Sequence, residues 1–142
     1  MHEVKRKPPT KKERKLVYQM YDGHCAYCGC KLELKEMQVD HFNSIYAYDG
    51  ENNIDNYMPS CRQCNFYKGV GTIEQFRQNL KETMWAALKK TFQYRMLLKY
   101  NLIQENDIDV RFYFEDHKNQ VTHRTPVMVK HNGNPYIVWR VD

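Results

Sequence analysis

Apolar and polar positions divide the chain into segments of different periodicity. Residues 11–21 carry apolar side chains at helical spacing, with Thr10 as a suitable N-cap and Gly23 after the last turn. Residues 72–100 contain neither Gly nor Pro and predict one long helix or two consecutive ones. The apolar stripe of that segment, expected to pack in the core, is Ile73, Phe76, Leu80, Met84, Leu88, Phe92 and Met96.

The last forty residues change to a period of two. In residues 108–114, Ile, Val and Phe alternate with Asp, Arg and Tyr, which predicts a half-buried strand. Residues 136–141 predict a second strand after the turn-like residues 132–135. We expect these two strands to pair as an antiparallel hairpin with a long connection.

The 142 residues suffice for one domain with a modest core. Residues 1–10 contain Pro8-Pro9 and many charges, which predicts a flexible basic arm. We expect one α+β domain over residues 11–142, divided into a core at 22–71, a helical segment at 72–101 and C-terminal strands within 107–141.

The net charge of +5 is unevenly distributed. Residues 1–15 contain seven Lys/Arg and two Asp/Glu, and residues 62–100 contain eight Lys/Arg and two Asp/Glu. Residues 16–61, between them, contain two Lys/Arg and seven Asp/Glu. Two basic segments that flank an acidic one predict a surface that binds a polyanion. The alternative is that the Lys and Arg side chains only keep these helices solvated. No apolar run approaches the roughly 20 residues of a membrane helix, and the basic N-terminus lacks the apolar stretch of a signal peptide. We therefore expect a cytoplasmic protein that does not bind membranes.

The five cysteines include two Cys-x-x-Cys pairs. Cys25 and Cys28 form the first pair, and Cys61 and Cys64 form the second. In a reducing compartment two such pairs favour a structural zinc ion with four thiolate ligands, over a redox pair or thiols that are merely buried. Cys30 lies outside both pairs and is expected to be incidental.

The motif order between and after these pairs resembles a known family. Asp40-His41 is followed by Asn56, and the second pair continues as Cys61-x-x-Cys64-Asn65-x-x-Lys68-Gly69. Over roughly residues 14–70 this order resembles the zinc-containing type of HNH endonuclease. The later segment, with its long helix and residues 111–115, looks like small standalone bacterial and phage members of that family. The resemblance implies a ββα-metal, treble-clef-like core, which the helices and the C-terminal hairpin predicted above would flank.

The resemblance also implies roles for individual residues. His41 would be the general base that activates water, and Asp40 and Asn65 would bind a catalytic divalent ion. Asn56 would hold the loop between the strands so that His41 is correctly oriented, and Lys68 would lie near a backbone phosphate. The third residue of the family motif is often His but is Asn65 in this sequence. Oxygen ligands in place of an imidazole favour Mg²⁺ or Mn²⁺ as the catalytic ion.

Elementary chemistry is consistent with these roles. A neutral imidazole, with a reference pKa of about 6.5, can accept a proton from water near pH 7. A divalent ion can stabilise the oxygen that leaves phosphorus. Adjacent strand residues point to opposite faces, so Asp40 and His41 can share a site only at a twisted strand end. Tyr46 and Tyr48 lie in the following loop, where they could equally stack on a base or remain exposed.

The function expected is therefore metal-dependent hydrolysis of DNA phosphodiester bonds. The alternative is a non-catalytic zinc-finger module that binds nucleic acid. Cutting both strands generally requires two active sites and hence a homodimer. The cations expected to contact DNA are Lys5, Arg6, Lys7, Lys11, Lys12, Arg62 and Lys68.

Overall fold

A computed structural model describes residues 7–45 and 50–141 of the chain. The predicted DNA contacts Lys5 and Arg6, and the loop residues Tyr46 and Tyr48, lie outside this part. The first helix, α1, spans Lys11–Met20 and begins with a capping box, in which Thr10 accepts a hydrogen bond from the backbone of Glu13 and Glu13 accepts one in return. The helix predicted for this segment is therefore present.

A small antiparallel sheet and a helix follow. Strand β1 is Gln38–His41, a 3₁₀ turn covers Ile54–Asn56, and strand β2 is Tyr57–Ser60. The two strands pair in a register that places His41 opposite Tyr57. Helix α2, Arg62–Lys68, follows directly and completes a ββα unit.

Helical structure resumes after Thr72, whose side chain caps the next helix in a second capping box. Helix α3 spans Ile73–Gln78, a π-helical segment covers Asn79–Met84, and α4 spans Trp85–Lys89. The chain turns at Thr91, which caps α5 at Phe92–Lys99. The segment predicted as helical thus forms consecutive helices.

The apolar stripe of this segment is buried only at its start. Ile73 and Phe76 belong to the core, but Met84 is 46% exposed, Leu88 47% and Phe92 65%. The prediction that the whole stripe packs in the core is wrong for its second half. Within the described residues, α4 and α5 extend beyond the elements that enclose the core, so these side chains remain uncovered.

The strand predicted at residues 108–114 is also wrong. This stretch is irregular and ends in a short helix, α6, at Tyr113–Asp116. Its backbone N–H groups at Tyr113 and Phe114 donate to the carbonyls of Tyr27 and Ala26, and the alternating phenylalanines are buried against the ring of Tyr27. The two phenylalanines are therefore buried without a strand partner, whereas Ile108, at the start of the alternation, is 67% exposed.

The C-terminal hairpin forms between two other segments. Strand β3, Arg124–His131, pairs antiparallel with β4, Asn134–Val141, which contains the predicted second strand. The connection is Asn132-Gly133, and both residues have positive φ angles (51° and 79°), as a two-residue type I′ turn requires. The partner of β4 is therefore its immediate predecessor, joined by a tight turn.

The core lies between α1, the first cysteine pair, the ββα unit, α3 and α6. Its fully buried side chains include Val17, Tyr27, Phe42, Met58 and Ile73. None of the helices in the described ranges has the length and apolar content that crossing a membrane demands. The fold is α+β, with flanking helices and the hairpin around the ββα core.

Candidate active site and zinc cluster

The four predicted cysteines meet at one point. The sulfur atoms of Cys25, Cys28, Cys61 and Cys64 all lie within 4.8 Å of one another, and those of Cys28 and Cys61 are 3.9 Å apart. Ligands about 2.3 Å from a tetrahedral zinc ion are separated by about 3.8 Å. The cluster therefore has the dimensions of a structural zinc site, while Cys30 is exposed and outside it.

Hydrogen bonding within the cluster shifts the pKa values of two thiols in opposite directions. The hydrogen bond with Cys64 lowers the pKa of the Cys25 thiol to about 4, whereas the same bond and burial raise the pKa of Cys64 well above its usual range. Four sulfur atoms at this distance repel one another as thiolates. A cation among them is what would allow all four to stay deprotonated.

The cluster also fixes the start of α2. The sulfur of Cys61 accepts a hydrogen bond from the backbone N–H of Cys64 and so caps the helix. Asn65 follows in the first turn and lies partly exposed, with its side-chain N–H 3.4 Å from the side-chain oxygen of Gln38 on β1. The cysteine cluster thus determines where Asn65 is placed.

An open cavity of about 230 Å³ lies between the end of β1 and α2. It is lined by Val39, Asp40, His41, Ser44, Ile45, Asn65, Gly69 and Val70. Asp40 and His41 are adjacent in sequence but both border this cavity, as expected for residues at a strand end. The structure therefore brings the predicted base and both predicted ion ligands to one opening.

His41 is held through its Nε2 atom. This nitrogen lies 2.9 Å from Oδ1 of Asn52, which also accepts a hydrogen bond from the Tyr57 hydroxyl at 2.9 Å. The amide N–H₂ of Asn52 donates to the carbonyl of Lys7, which fixes the orientation of the amide. Because Oδ1 is an acceptor, the hydrogen-bond network assigns the proton of neutral His41 to Nε2 and leaves Nδ1 unprotonated.

Asn56 holds the loop between β1 and β2. Its buried side chain accepts a hydrogen bond from the backbone N–H of Asn43 and donates to the carbonyls of Asn43 and Glu51, each at 2.8 Å. Its own carbonyl accepts from the N–H of Phe42 at 2.8 Å. These bonds fix both ends of the loop that carries Asn52, the partner of His41.

Lys68 is buried, whereas the family resemblance predicts that it lies near a DNA phosphate. Its ammonium lies 2.9 Å from Oδ2 of Asp40 and 3.2 Å from the carbonyl of His41, and its side chain is 0% exposed. Because Lys68 projects from α2 into the core, it cannot reach a phosphate on the surface, and the predicted DNA contact is wrong. Burial raises the pKa of the Asp40 carboxyl, and Lys68 partly offsets that effect.

The hydroxyl of Tyr27 donates to the same oxygen of Asp40. Sequence reasoning missed Tyr27, Asn52 and Tyr57, because nothing in residue type or spacing distinguishes them from ordinary core and loop residues. The predicted cations Lys7, Lys11, Lys12 and Arg62 are exposed, as contact with a polyanion requires.

Comparison with known proteins places this site in a family. Residues 25–70 match the family model described as HNH endonuclease. The Septu protein PtuB of Bacillus thuringiensis is 40% identical over 55 residues, which are 37% of this chain and 21% of that relative. The Type II-C Cas9 enzyme from Actinomyces naeslundii overlaps 49% of this chain and 8% of its own at 22% identity, with a TM-score of 0.44, too low to bear on function.

Residues 25–70 are therefore a domain of the HNH endonuclease family, and the four-cysteine cluster fits the zinc-containing type. This chain spans about a fifth of the length of the PtuB relative.

Proposed function

We propose that this protein hydrolyses DNA phosphodiester bonds, with His41 as general base and a divalent ion bound at Asp40 and Asn65. The observation that carries the proposal is that all three residues line the same open cavity. Carboxylate and amide oxygens are the ligands that Mg²⁺ or Mn²⁺ prefers. When bound, such an ion would stabilise negative charge on the phosphate and on the leaving 3′ oxygen.

His41 supplies the base. With the proton on Nε2 directed at Asn52, Nδ1 can accept a proton from a water molecule as that water attacks phosphorus. The P–O3′ bond then breaks, giving a 5′ phosphate and a 3′ oxyanion, which takes a proton from solvent water to become the 3′ hydroxyl. Asn52 also stabilises the imidazolium that forms, since its oxygen keeps accepting from Nε2–H.

DNA is the proposed substrate because the segment before α1, the start of α1 and the start of α2 all carry exposed cations. Lys11 and Lys12 lie in the first turn of α1, Arg62 lies at the start of α2, and the backbone of Lys7 contacts Asn52. These cations can bind backbone phosphates without reading the base sequence. We also propose that residues 11–142 act as one domain in the bacterial cytoplasm, and that two copies are needed to cut both strands.

The test is cleavage of supercoiled plasmid by zinc-loaded protein in Mg²⁺ or Mn²⁺. We expect His41→Ala to cleave about 10²–10⁴-fold more slowly than wild type, because a general base usually contributes a factor of that size. His131→Ala, on the exposed hairpin end, is the matched control and should cut normally. DNA binding in Ca²⁺ should be unchanged in both.

Two outcomes would contradict the proposal. Cleavage by His41→Ala at the wild-type rate would exclude the assigned base. A wild-type protein that shifts DNA in a gel but never cuts it would favour the alternative, a non-catalytic zinc-finger module.

A further inference from the structure

The first cysteine pair is joined to the active site by one buried hydroxyl. Tyr27 lies between Cys25 and Cys28 in sequence, and its side chain is 1% exposed. Its hydroxyl donates to Oδ2 of Asp40, at the floor of the cavity that also contains His41. The link is direct, since no other side chain intervenes.

Asp40 is held from two sides through the same oxygen. The hydroxyl of Tyr27 and the ammonium of Lys68, 2.9 Å away, both donate to Oδ2. A carboxylate with one oxygen held by two donors has little rotational freedom. Oδ1 is then the oxygen left to bind a cation in the cavity.

The ring of Tyr27 is fixed independently of its hydroxyl. It makes edge contacts with Phe76, Phe112 and Phe114, with ring centroids 5.7–6.2 Å apart. These contacts involve only the apolar ring, so replacement by Phe preserves them. Hydroxyl and ring can therefore be separated by one substitution.

We propose that Tyr27 is a positioning residue for the divalent-ion site: its hydroxyl holds Asp40 so that Oδ1 faces the ion, and thereby couples the cysteine cluster to the active site. The inference rests on the proposed function only in assigning the ion to Asp40. Groups that orient metal ligands typically contribute 10- to 100-fold to metal affinity or activity.

The test compares Tyr27→Phe with Tyr21→Phe. Tyr21 is an equally buried tyrosine whose hydroxyl has no hydrogen-bond partner within the described residues, so its loss should be neutral. Mn²⁺ binding to zinc-loaded protein, without DNA, is measured by electron paramagnetic resonance titration. We expect a 10- to 100-fold weaker Mn²⁺ affinity in Tyr27→Phe, wild-type affinity in Tyr21→Phe, and unchanged zinc content in both.

A cycle with Asp40→Asn separates positioning from a merely structural role. If the hydroxyl acts through the carboxylate, adding Tyr27→Phe to Asp40→Asn should weaken Mn²⁺ binding no further. In cleavage assays, saturating Mn²⁺ should restore most of the rate of Tyr27→Phe. Equal Mn²⁺ affinities for Tyr27→Phe and wild type would overturn the inference, and so would additive losses in the cycle.

The same experiment distinguishes failure of the proposed function. A wild-type protein that binds Mn²⁺ but never cuts DNA contradicts the nuclease proposal, while the affinity difference still supports the role of Tyr27. A wild-type protein that binds no Mn²⁺ overturns the role of Tyr27.

Discussion

Asn56 offers the most direct way to ask whether the loop between β1 and β2 maintains the site. Asn56→Ala removes three side-chain hydrogen bonds of 2.8 Å, two to Asn43 and one to Glu51. A typical hydrogen bond contributes about 1 kcal/mol to stability, so the substitution should lower the free energy of unfolding by about 2–3 kcal/mol. For a chain of this size that corresponds to a fall in Tm of roughly 6–10 °C.

Asn56→Asp tests the donor half of the interaction. The new carboxylate can still accept from the N–H of Asn43, but it places an oxygen against the carbonyls of Asn43 and Glu51, where Asn56 now donates. We expect it to destabilise the protein at least as much as Asn56→Ala near neutral pH, because a buried charge then faces two acceptors. Cleavage should fall in both variants, because the loop also carries Asn52.

Asn53→Ala is the matched control in the same loop. Its Oδ1 accepts one backbone hydrogen bond, from Asp55, at the start of the 3₁₀ turn, and its Nδ2 donates to the exposed carboxylate of Glu51. Because the second bond is exposed to solvent, about 1 kcal/mol should be lost. Urea denaturation of zinc-saturated protein gives all three free energies. A loss below about 0.5 kcal/mol in Asn56→Ala, a typical surface-substitution value, would refute the reasoning.

Two further predictions concern the zinc cluster and the DNA-binding surface. Elemental analysis should find one zinc ion per chain in wild type and in Cys30→Ser, but not in Cys28→Ser. Strong chelators should unfold the protein, because structural zinc contributes on the order of 10 kcal/mol to folding. A protein that is folded without zinc would contradict this prediction. Replacing both Lys11 and Lys12 with Ala should flatten the dependence of log K on log[salt] by up to about 1.8, since each phosphate contact contributes about 0.9. Fluorescence anisotropy in Ca²⁺ measures the slope, and an unchanged slope would show that α1 does not contact phosphates.

The cysteine cluster was predictable from the spacing within each pair, and the α+β fold from the resemblance of the motif order to a known family. Two Cys-x-x-Cys pairs supply the four thiolates of a tetrahedral zinc site once the fold brings the pairs together. The Asn132-Gly133 dipeptide is a strong hairpin signal of the same local kind, and weighing it above the alternation at residues 108–114 identifies β3 and β4. Within that alternation, Phe112 and Phe114 pack instead against Tyr27, a contact between distant segments.

The orientation of Lys68 was not predictable in the same way. Lys68 follows Asn65 by three positions on α2, and one helical turn gives no indication of which of the two faces the core. The deciding facts are the position of Asp40 on β1 and the rings of Tyr27 and Phe42, each 6.0 Å from the ammonium. Such tertiary contacts emerge only when strand and helix are packed together.

The exposed apolar side chains of α4 and α5 make the self-association of this protein depend on salt concentration. Residues 83–104 contain Lys89, Lys90, Arg95 and Lys99 but no acidic residue, so the segment with the exposed apolar side chains stays net positive even with Glu105 4.0 Å from Lys89. Mutual repulsion therefore keeps like patches apart at low ionic strength. The Debye length falls from about 8 Å at 0.15 M salt to about 3 Å at 1 M, so concentrated salt removes the repulsion while the attraction between apolar patches remains. Molecules in solution then pass from net repulsion to net attraction, and light scattering rises with added salt.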